Sequence, residues 1–334
     1  MELALLEFVA SGAVIALAGV FLVRFADRIA DLTGFGRILV GSILLAGATS
    51  LPELSVDLSA IRLGEPDLAV GDLLGSSLMN LAILAVGDLI RRSRQRLISP
   101  LGAAHALSAT MSLALTGLVG MALVVRPDFA LGPFGVFTWL LLAAYLLGLR
   151  LVYFDLQAVA AREPVVKPAA KPSAGRGPLL RALGGYLGCA VLILVAAPYL
   201  ASAADRIARL TGLDHSFVGT TFLALTTSLP ELVATLAAIR IGSYDLALGN
   251  IFGSNSLNMV LIVPLDAFQE GALLSSVRPL HAVTAFGVVL ATSVAVMAQL
   301  YRFEKKRRLV DPGAETILLL VALTLALVHH MGAS

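Results

Sequence analysis

Charge is scarce in this sequence. Asp, Glu, Lys and Arg supply 14% of the 334 residues against 58% for hydrophobic types, and the mean hydropathy is +0.91. A water-soluble fold of that composition has nowhere to hide its apolar surface, so an integral membrane protein remains. Cysteine is reduced to Cys189, which excludes an internal disulfide. No nucleotide-binding motif is present, and no nucleophile or water-exposed catalytic domain accompanies the acidic residues of the apolar segments, which argues against an enzyme. The start, Met1 to Glu7, carries acidic rather than basic residues before its apolar run; a cleaved signal peptide needs a basic one, so this segment is expected to be a retained first span.

Apolar runs of about 20 residues, enough to cross the hydrocarbon core, fall at ten places: 4–24, 38–61, 67–90, 101–124, 131–153, 182–203, 216–239, 245–268, 280–301 and 314–331. With the N-terminus outside, one face collects 19 of the 24 basic residues, including Arg91, Arg92, Arg94 and Arg96 and the run from Arg302 to Arg308. The positive-inside rule assigns that face to the cytoplasm. The expectation is a multi-pass protein of the plasma membrane with both termini outside. The short basic clusters are topology signals beside the lipid bilayer, and no nucleic acid partner is expected. Nothing in the sequence fixes an oligomeric state.

Shifted by 178 residues, the chain matches itself without gaps from Ala26 and Ala204 to Leu84 and Ile262, with about half of roughly sixty positions identical. An odd number of spans per copy inverts the second copy in the membrane. The expected architecture is an all-α membrane protein of about ten transmembrane helices in two inverted five-helix repeats, with broken helices at the midplane. The first repeat occupies 1–154 and the second 182–334. Between them, 155–181 is polar and proline-rich and reads as a cytoplasmic linker that carries no recognisable calcium-sensor domain.

Each repeat holds two polar motifs. The first is Ala48-Thr49-Ser50-Leu51-Pro52-Glu53-Leu54, matched by Thr226-Thr227-Ser228-Leu229-Pro230-Glu231-Leu232. A carboxylate at membrane depth costs a few kcal/mol or more unless it faces a partner or a watered path, and this chain places one there twice. Pro52 and Pro230 lack a backbone donor and are expected to break their helices and free carbonyls, those of Ala46 and Ala224 being the ones to watch. Thr49, Ser50, Thr227 and Ser228 add oxygens, the ligand type of hard cations; histidine and cysteine, which would point to zinc or copper, are missing from these motifs. The second motif runs from Gly71 to Asn80 and from Gly249 to Asn258. Ser76 and Asn80 share a helix face, as do Ser254 and Asn258, with interhelical hydrogen bonding as their alternative role.

With these four motifs in order, the chain resembles the cation/calcium exchanger superfamily, particularly prokaryotic sodium/calcium exchangers. The resemblance implies Glu53 and Glu231 as the acidic calcium ligands, with Thr49, Thr227 and nearby carbonyls completing the shell. It implies Ser50, Ser228, Ser76, Ser254, Asn80 and Asn258 as flanking sodium and central-site positions. Asp72 stands where these exchangers commonly have asparagine, Ser77 replaces another asparagine, and Asn258 is aspartate in some relatives. The implied function is secondary antiport of Ca2+ against Na+ without a cofactor, inorganic cations being the only cargo. Two ionised glutamates balance one Ca2+ or two Na+, so either load crosses near neutrality. Protons could replace sodium, which makes calcium/proton or other divalent exchange the second reading and a channel a third.

Other polar residues are read outside the site. Asp57, one turn beyond Glu53, is either a vestibule acid, a solvated helix end or a partner of Arg62. Asp88 and Asp266 are expected to cap or pair at span ends, and His105 and His281 to be structural.

Overall fold

The computed structural model describes residues 2–34, 36–90, 103–127, 130–132, 134–162, 176–211, 225–269, 271–300 and 313–332. They form ten principal helices: α1 Glu2–Thr33, α2 Arg37–Arg62, α3 Pro66–Ile90, α4 Ala103–Val125, α5 Val136–Arg162, α6 Arg176–Thr211, α7 Leu229–Arg240, α8 Tyr244–Phe268, α9 His281–Leu300 and α10 Ala314–Gly332. Among the described residues, nine helices are long and apolar enough to cross a membrane. The remaining one, α7, is the far part of the run expected over 216–239; residues 212–224 lie outside the described set.

The internal repeat reaches further in the structure than in the sequence. A shift of 178 carries Thr33 at the end of α1 onto Thr211, and the whole of α3 onto α8. It also carries the first residues of α4 and α5, Ala103 and Val136, onto His281 and Ala314. The halves interlock instead of standing side by side. α1 packs along α6, α3 on α8 and α4 on α9, while α7 leans on α1 as α2 leans on α6. The centre belongs to α8, 78% of whose most apolar stretch is buried, against 17% for α5 and 22% for α10. Leu140, Leu146, Leu147, Leu319 and Leu323 accordingly face outward, where lipid is the solvent.

The turns repeat too. α2 and α7 each end on a left-handed glycine, Gly64 and Gly242, both at φ 78°. The following N–H groups return to Ala60 and Ala238 at 2.9 Å, the capping arrangement that only glycine adopts without strain. This fixes the tight return from α2 into α3 and from α7 into α8.

Several helices differ in length from the apolar runs. α1 and α6 have 32 and 36 residues, about 48 and 54 Å at 1.5 Å per residue, beyond the hydrocarbon thickness. Their polar ends project outside it: Arg37 at the start of α2 holds Asp27 and Asp31 of α1 at 2.7 and 2.8 Å. The fifth run starts at 136 instead of 131, because Ala130–Leu131 and Phe134–Gly135 pair as a short antiparallel hairpin around Gly132 at φ 66°. Asp266 does cap, as expected of it: its carboxylate accepts from the N–H groups of Gly135 and Leu273 at 2.8 and 2.6 Å. Around the expected linker, α5 continues to Arg162 and α6 resumes at Arg176, and residues 163–175 lie outside the described set.

Two histidines join the halves. His105 Nε2 lies 2.8 Å from Asp245 Oδ1, and His281 Nε2 lies 2.8 Å from Asp67 Oδ1. Asp67 and Asp245 are repeat partners in the first turns of α3 and α8, whereas the histidines come from α4 and α9 of the opposite half and do not align under the 178-residue shift. The inverted fold thus places an equivalent tie at each end of the bundle. Removing one partner of such a bond costs about 1–3 kcal/mol. His281→Ala and His105→Ala are each expected to lower the unfolding temperature of the purified protein in detergent, and unchanged melting of both would show the ties to be incidental.

Candidate cation site

The first proline-glutamate motif sits in a helix that stays wound. Pro52 lies inside the segment Ala46–Arg62 and withholds the N–H that Ala48 would otherwise accept. About two to three turns before the proline, Val40–Leu45 forms a π turn in which Ala46 N–H reaches back to Gly41 O, while the break expected at Pro52 itself is not seen. A π turn adds a residue to the helix and rotates the side chains beyond it, here Thr49, Ser50 and Glu53. The second motif is broken as expected. Residues 225–227 are helical, Ser228 is a turn residue at φ −79° and ψ 4°, and α7 begins at Leu229 with Pro230 in its first turn. Glu231 therefore stands in the first turn of α7, where the helix dipole favours a negative charge.

The structure buries the motif residues together. Glu53, Glu231, Thr49, Ser50, Thr227, Ser228, Ser76, Ser254, Asn80, Asn258 and Ala46 are all at most 3% exposed; Ala224 lies outside the described residues. Ser50 Oγ donates to Glu231 Oε1 across the halves at 3.2 Å, and Glu53 lies near enough to Glu231 for the two charges to interact. Thr49 Oγ1 is 3.4 Å from Asn250 Oδ1 and 3.5 Å from Ser254 Oγ, and it also reaches the carbonyls of Leu45 and Ala46 at 3.1 and 3.2 Å. In the mirrored position, Thr227 Oγ1 donates to Asp72 Oδ1 at 3.2 Å and lies 3.4 Å from Ser76 Oγ. The carbonyl of Ala46 is one of several acceptors within reach of the Thr49 hydroxyl.

Asn80 and Asn258 also use their amides between halves. Asn80 Nδ2 donates to Asn255 Oδ1 at 2.9 Å, and Asn258 Nδ2 to Ser77 Oγ at 3.3 Å. These bonds match the alternative role considered for them. Their carbonyl oxygens, Asn80 Oδ1 and Asn258 Oδ1, nevertheless have no hydrogen-bond partner, nor do Glu53 Oε2, Glu231 Oε2 and Ser228 Oγ. Buried polar atoms are normally satisfied, so this concentration of acceptor oxygens suits a cation. No cluster of three or more His, Cys, Asp or Glu side chains arranged to hold a metal occurs among the described residues. A site drawn from two carboxylates plus hydroxyl, amide and carbonyl oxygens does not require one, and such oxygen-rich shells suit calcium or sodium.

Four participants were not selected from the sequence: Asn250, Asn255, Ser77 and Thr235. Asn250 Nδ2 donates to Thr235 Oγ1 at 3.1 Å, and Asn255 Nδ2 to Ser77 O at 3.1 Å. All but Thr235 lie within the second motif, and Thr235 is four residues from Glu231, so helical spacing alone could have included them. Asp57 requires a correction. It is neither a solvated helix end nor a partner of Arg62: its side chain is 1% exposed, while Arg62 stacks on Phe268 at 5.6 Å.

Two interlocked, inverted five-helix halves each bring a buried glutamate against the other, an arrangement suited to binding inorganic cations. The chain belongs to the sodium/calcium exchanger family, whose model, described as sodium/calcium exchanger protein, matches residues 3–154 and 181–330; it is an antiporter of that superfamily. It is 30% identical over 236 residues to the inner membrane protein YrbG of Escherichia coli, covering 70% of each chain. It is 27% identical over 289 residues to the putative antiporter CaxA of Alkalimonas amylolytica, covering 85% of each. A shorter stretch of 80 residues is 42% identical to the sodium/calcium exchanger MaX1 of Methanosarcina acetivorans, covering 24% of this chain and 23% of MaX1. In fold, the sodium-calcium exchanger NCX_Mj soaked with 10 mM Na+ superposes with a TM-score of 0.70 over 97% of both chains, at 20% identity.

Proposed function

We propose that this chain exchanges Ca2+ for Na+ by alternating access, with Glu53 and Glu231 binding whichever cation is present. The observation that carries this reading is the contact between halves: Ser50 of one motif donates to Glu231 of the other at 3.2 Å, which supports one site shared by both carboxylates. One Ca2+ or two Na+ cancels the pair, and the neutral load crosses without the penalty of a charge in lipid. Thr49, Thr227, Ser76, Ser254, Asn80, Asn258 and the Ala46 and Ala224 carbonyls supply the remaining oxygens, with Ser50 and Ser228 at the flanking positions. Residues 1–154 and 182–334 act as the two halves, and 155–181 joins them on the cytoplasmic side of the plasma membrane with both termini outside. The distribution of basic residues supports that orientation.

The test is coupled flux in proteoliposomes. At clamped pH, an outward Na+ gradient is expected to drive Ca2+ uptake, and an outward proton gradient without Na+ is not. Uptake that follows only the proton gradient would replace sodium by protons as the counter-ion. Ca2+ movement independent of both gradients would make the protein a channel. For orientation, a reporter fused after Ser334 that is active only outside the cytoplasm is expected to be active; an inactive one would reverse the topology.

A further inference from the structure

The two halves are unequal at one place. In the second half, Asn250 Nδ2 donates to Thr235 Oγ1 at 3.1 Å, and Asn250 Oδ1 faces Thr49 Oγ1 at 3.4 Å. The repeat partners of Asn250, Thr235 and Thr49 are Asp72, Asp57 and Thr227. The same network recurs there, since Thr227 Oγ1 donates to Asp72 Oδ1 at 3.2 Å. The neutral amide-hydroxyl pair, however, is replaced by two carboxyl groups that face each other. Asp57 and Asp72 are 1% and 3% exposed. With both acids ionised, neither oxygen of Asp57 nor Oδ2 of Asp72 has a hydrogen-bond donor.

When both are ionised, two carboxylates so placed in a buried position repel and their oxygens only accept, so the pair needs either a shared proton or a cation between them. Among the described residues no lysine or arginine is buried, so no fixed cation offsets them. A single Ca2+ between Glu53 and Glu231 is fully used in balancing that pair. Asp72 also lies near enough to Glu53 and Glu231 for their charges to interact, so the aspartate pair borders the glutamate pair.

We propose that Asp57 and Asp72, with the Thr227 hydroxyl at their edge, hold a second hard divalent cation, in a subsite that the first half has and the second half lacks. The subsite lies between Glu53 and the α2–α3 turn, since Asp57 is one helical turn nearer that turn than Glu53. A cation arriving from that face meets two acids before the central pair. From the opposite face it meets the neutral Asn250 and Thr235. The exchanger is therefore sided in its handling of divalent ions.

The proposal rests on Glu53 and Glu231 being cation ligands, and the test reads the two pairs separately. Ca2+ is titrated calorimetrically into the purified full chain in Na+-free detergent solution. The wild type is expected to bind two Ca2+ per chain. Asp57→Thr with Asp72→Asn, which copies the neutral pair already accommodated in the other half, is expected to bind one. Glu53→Gln with Glu231→Gln is also expected to bind one, now at the aspartates, and this arm does not depend on the aspartate variant folding. Equal stoichiometry in the wild type and the aspartate variant overturns the second subsite and leaves the glutamate reading standing. Two Ca2+ still bound after the glutamate change would instead refute the glutamate site. A wild type that takes up only one Ca2+ would show that the aspartates hold no second ion, and overturns the proposal.

Discussion

Replacing Glu53 and Glu231 together by glutamine is expected to abolish Ca2+ exchange, with each single replacement lowering it by about 100-fold or more. Glutamine keeps the length of the side chain and an Oε1 acceptor for the Ser50 hydroxyl, which lies 3.2 Å from Glu231. What it removes is charge. Removing one of the two countercharges of a bound Ca2+ leaves buried charge unpaired, which costs about 3–5 kcal/mol, and every 1.4 kcal/mol is a factor of about 10 in affinity. The measurement is initial Ca2+ uptake into proteoliposomes holding equal amounts of monodisperse wild-type or variant protein. Uptake by the double variant within about tenfold of wild type would mean that the glutamates do not carry the ion.

The second large effect concerns a glycine that binds nothing. A Cβ on Gly253 of α8 would stand 2.6 Å from Ser42 Cα and 2.6 Å from Ser42 O, and one on Gly249 would stand 2.8 Å from Ile38 O. Across the contact, a Cβ on Gly41 would meet Leu246 O at 2.9 Å. These neighbours are backbone atoms, which cannot swing aside, so any side chain must push α8 off the π turn of α2. Overpacking of this kind costs about 1–3 kcal/mol for a methyl group, rising with larger groups. It also pulls Thr49 away from Asn250 and Ser254, now 3.4 and 3.5 Å distant. Gly253→Ala is expected to lower both the melting temperature in detergent and Ca2+ exchange, and Gly253→Leu to prevent recovery of folded protein. Gly184→Ala is the control, because a Cβ there meets nothing within 4 Å and alanine favours a helix by up to about 1 kcal/mol. Indistinguishable behaviour of the two alanine variants would show that the α2–α8 crossing tolerates separation.

Much of the site was legible because duplication exposes it. Pro52-Glu53 and Pro230-Glu231 recur in apolar runs, and a carboxylate in lipid is expensive wherever it occurs. The hydroxyls and amides beside them followed from helical spacing. Spacing did not reveal what each polar atom faces. Asp57 looked as suited to Arg62 or to solvent as to a cavity, and only packing turned it toward Asp72 while Arg62 moved to Phe268. The histidine ties were equally hidden, since His105 and His281 do not align in the repeat and meet aspartates 140 and 214 residues away.

The two prolines show the same division. Their chemistry forbids a normal hydrogen bond at both positions, yet the chain breaks at Ser228 and stays helical through Pro52. The first half carries instead a π turn at Val40–Leu45, which Gly249 and Gly253 of α8 approach closely. The local rule states that a hydrogen bond is lost at each proline, and the rest of the fold decides whether the helix breaks there.

By itself the sequence determined that this protein lives in a bilayer, that it is built twice, and that each copy carries one costly acid. Those facts stem from transfer energies and from residue periodicity, which act along a single segment. Tertiary structure decided that the halves interlock, which buried oxygens lie beside one another, and that Asp57 lies beside Asp72 where the second half has a neutral pair. Such outcomes depend on distances between helices far apart in the chain, and close packing of side chains settles them only once all the helices are assembled.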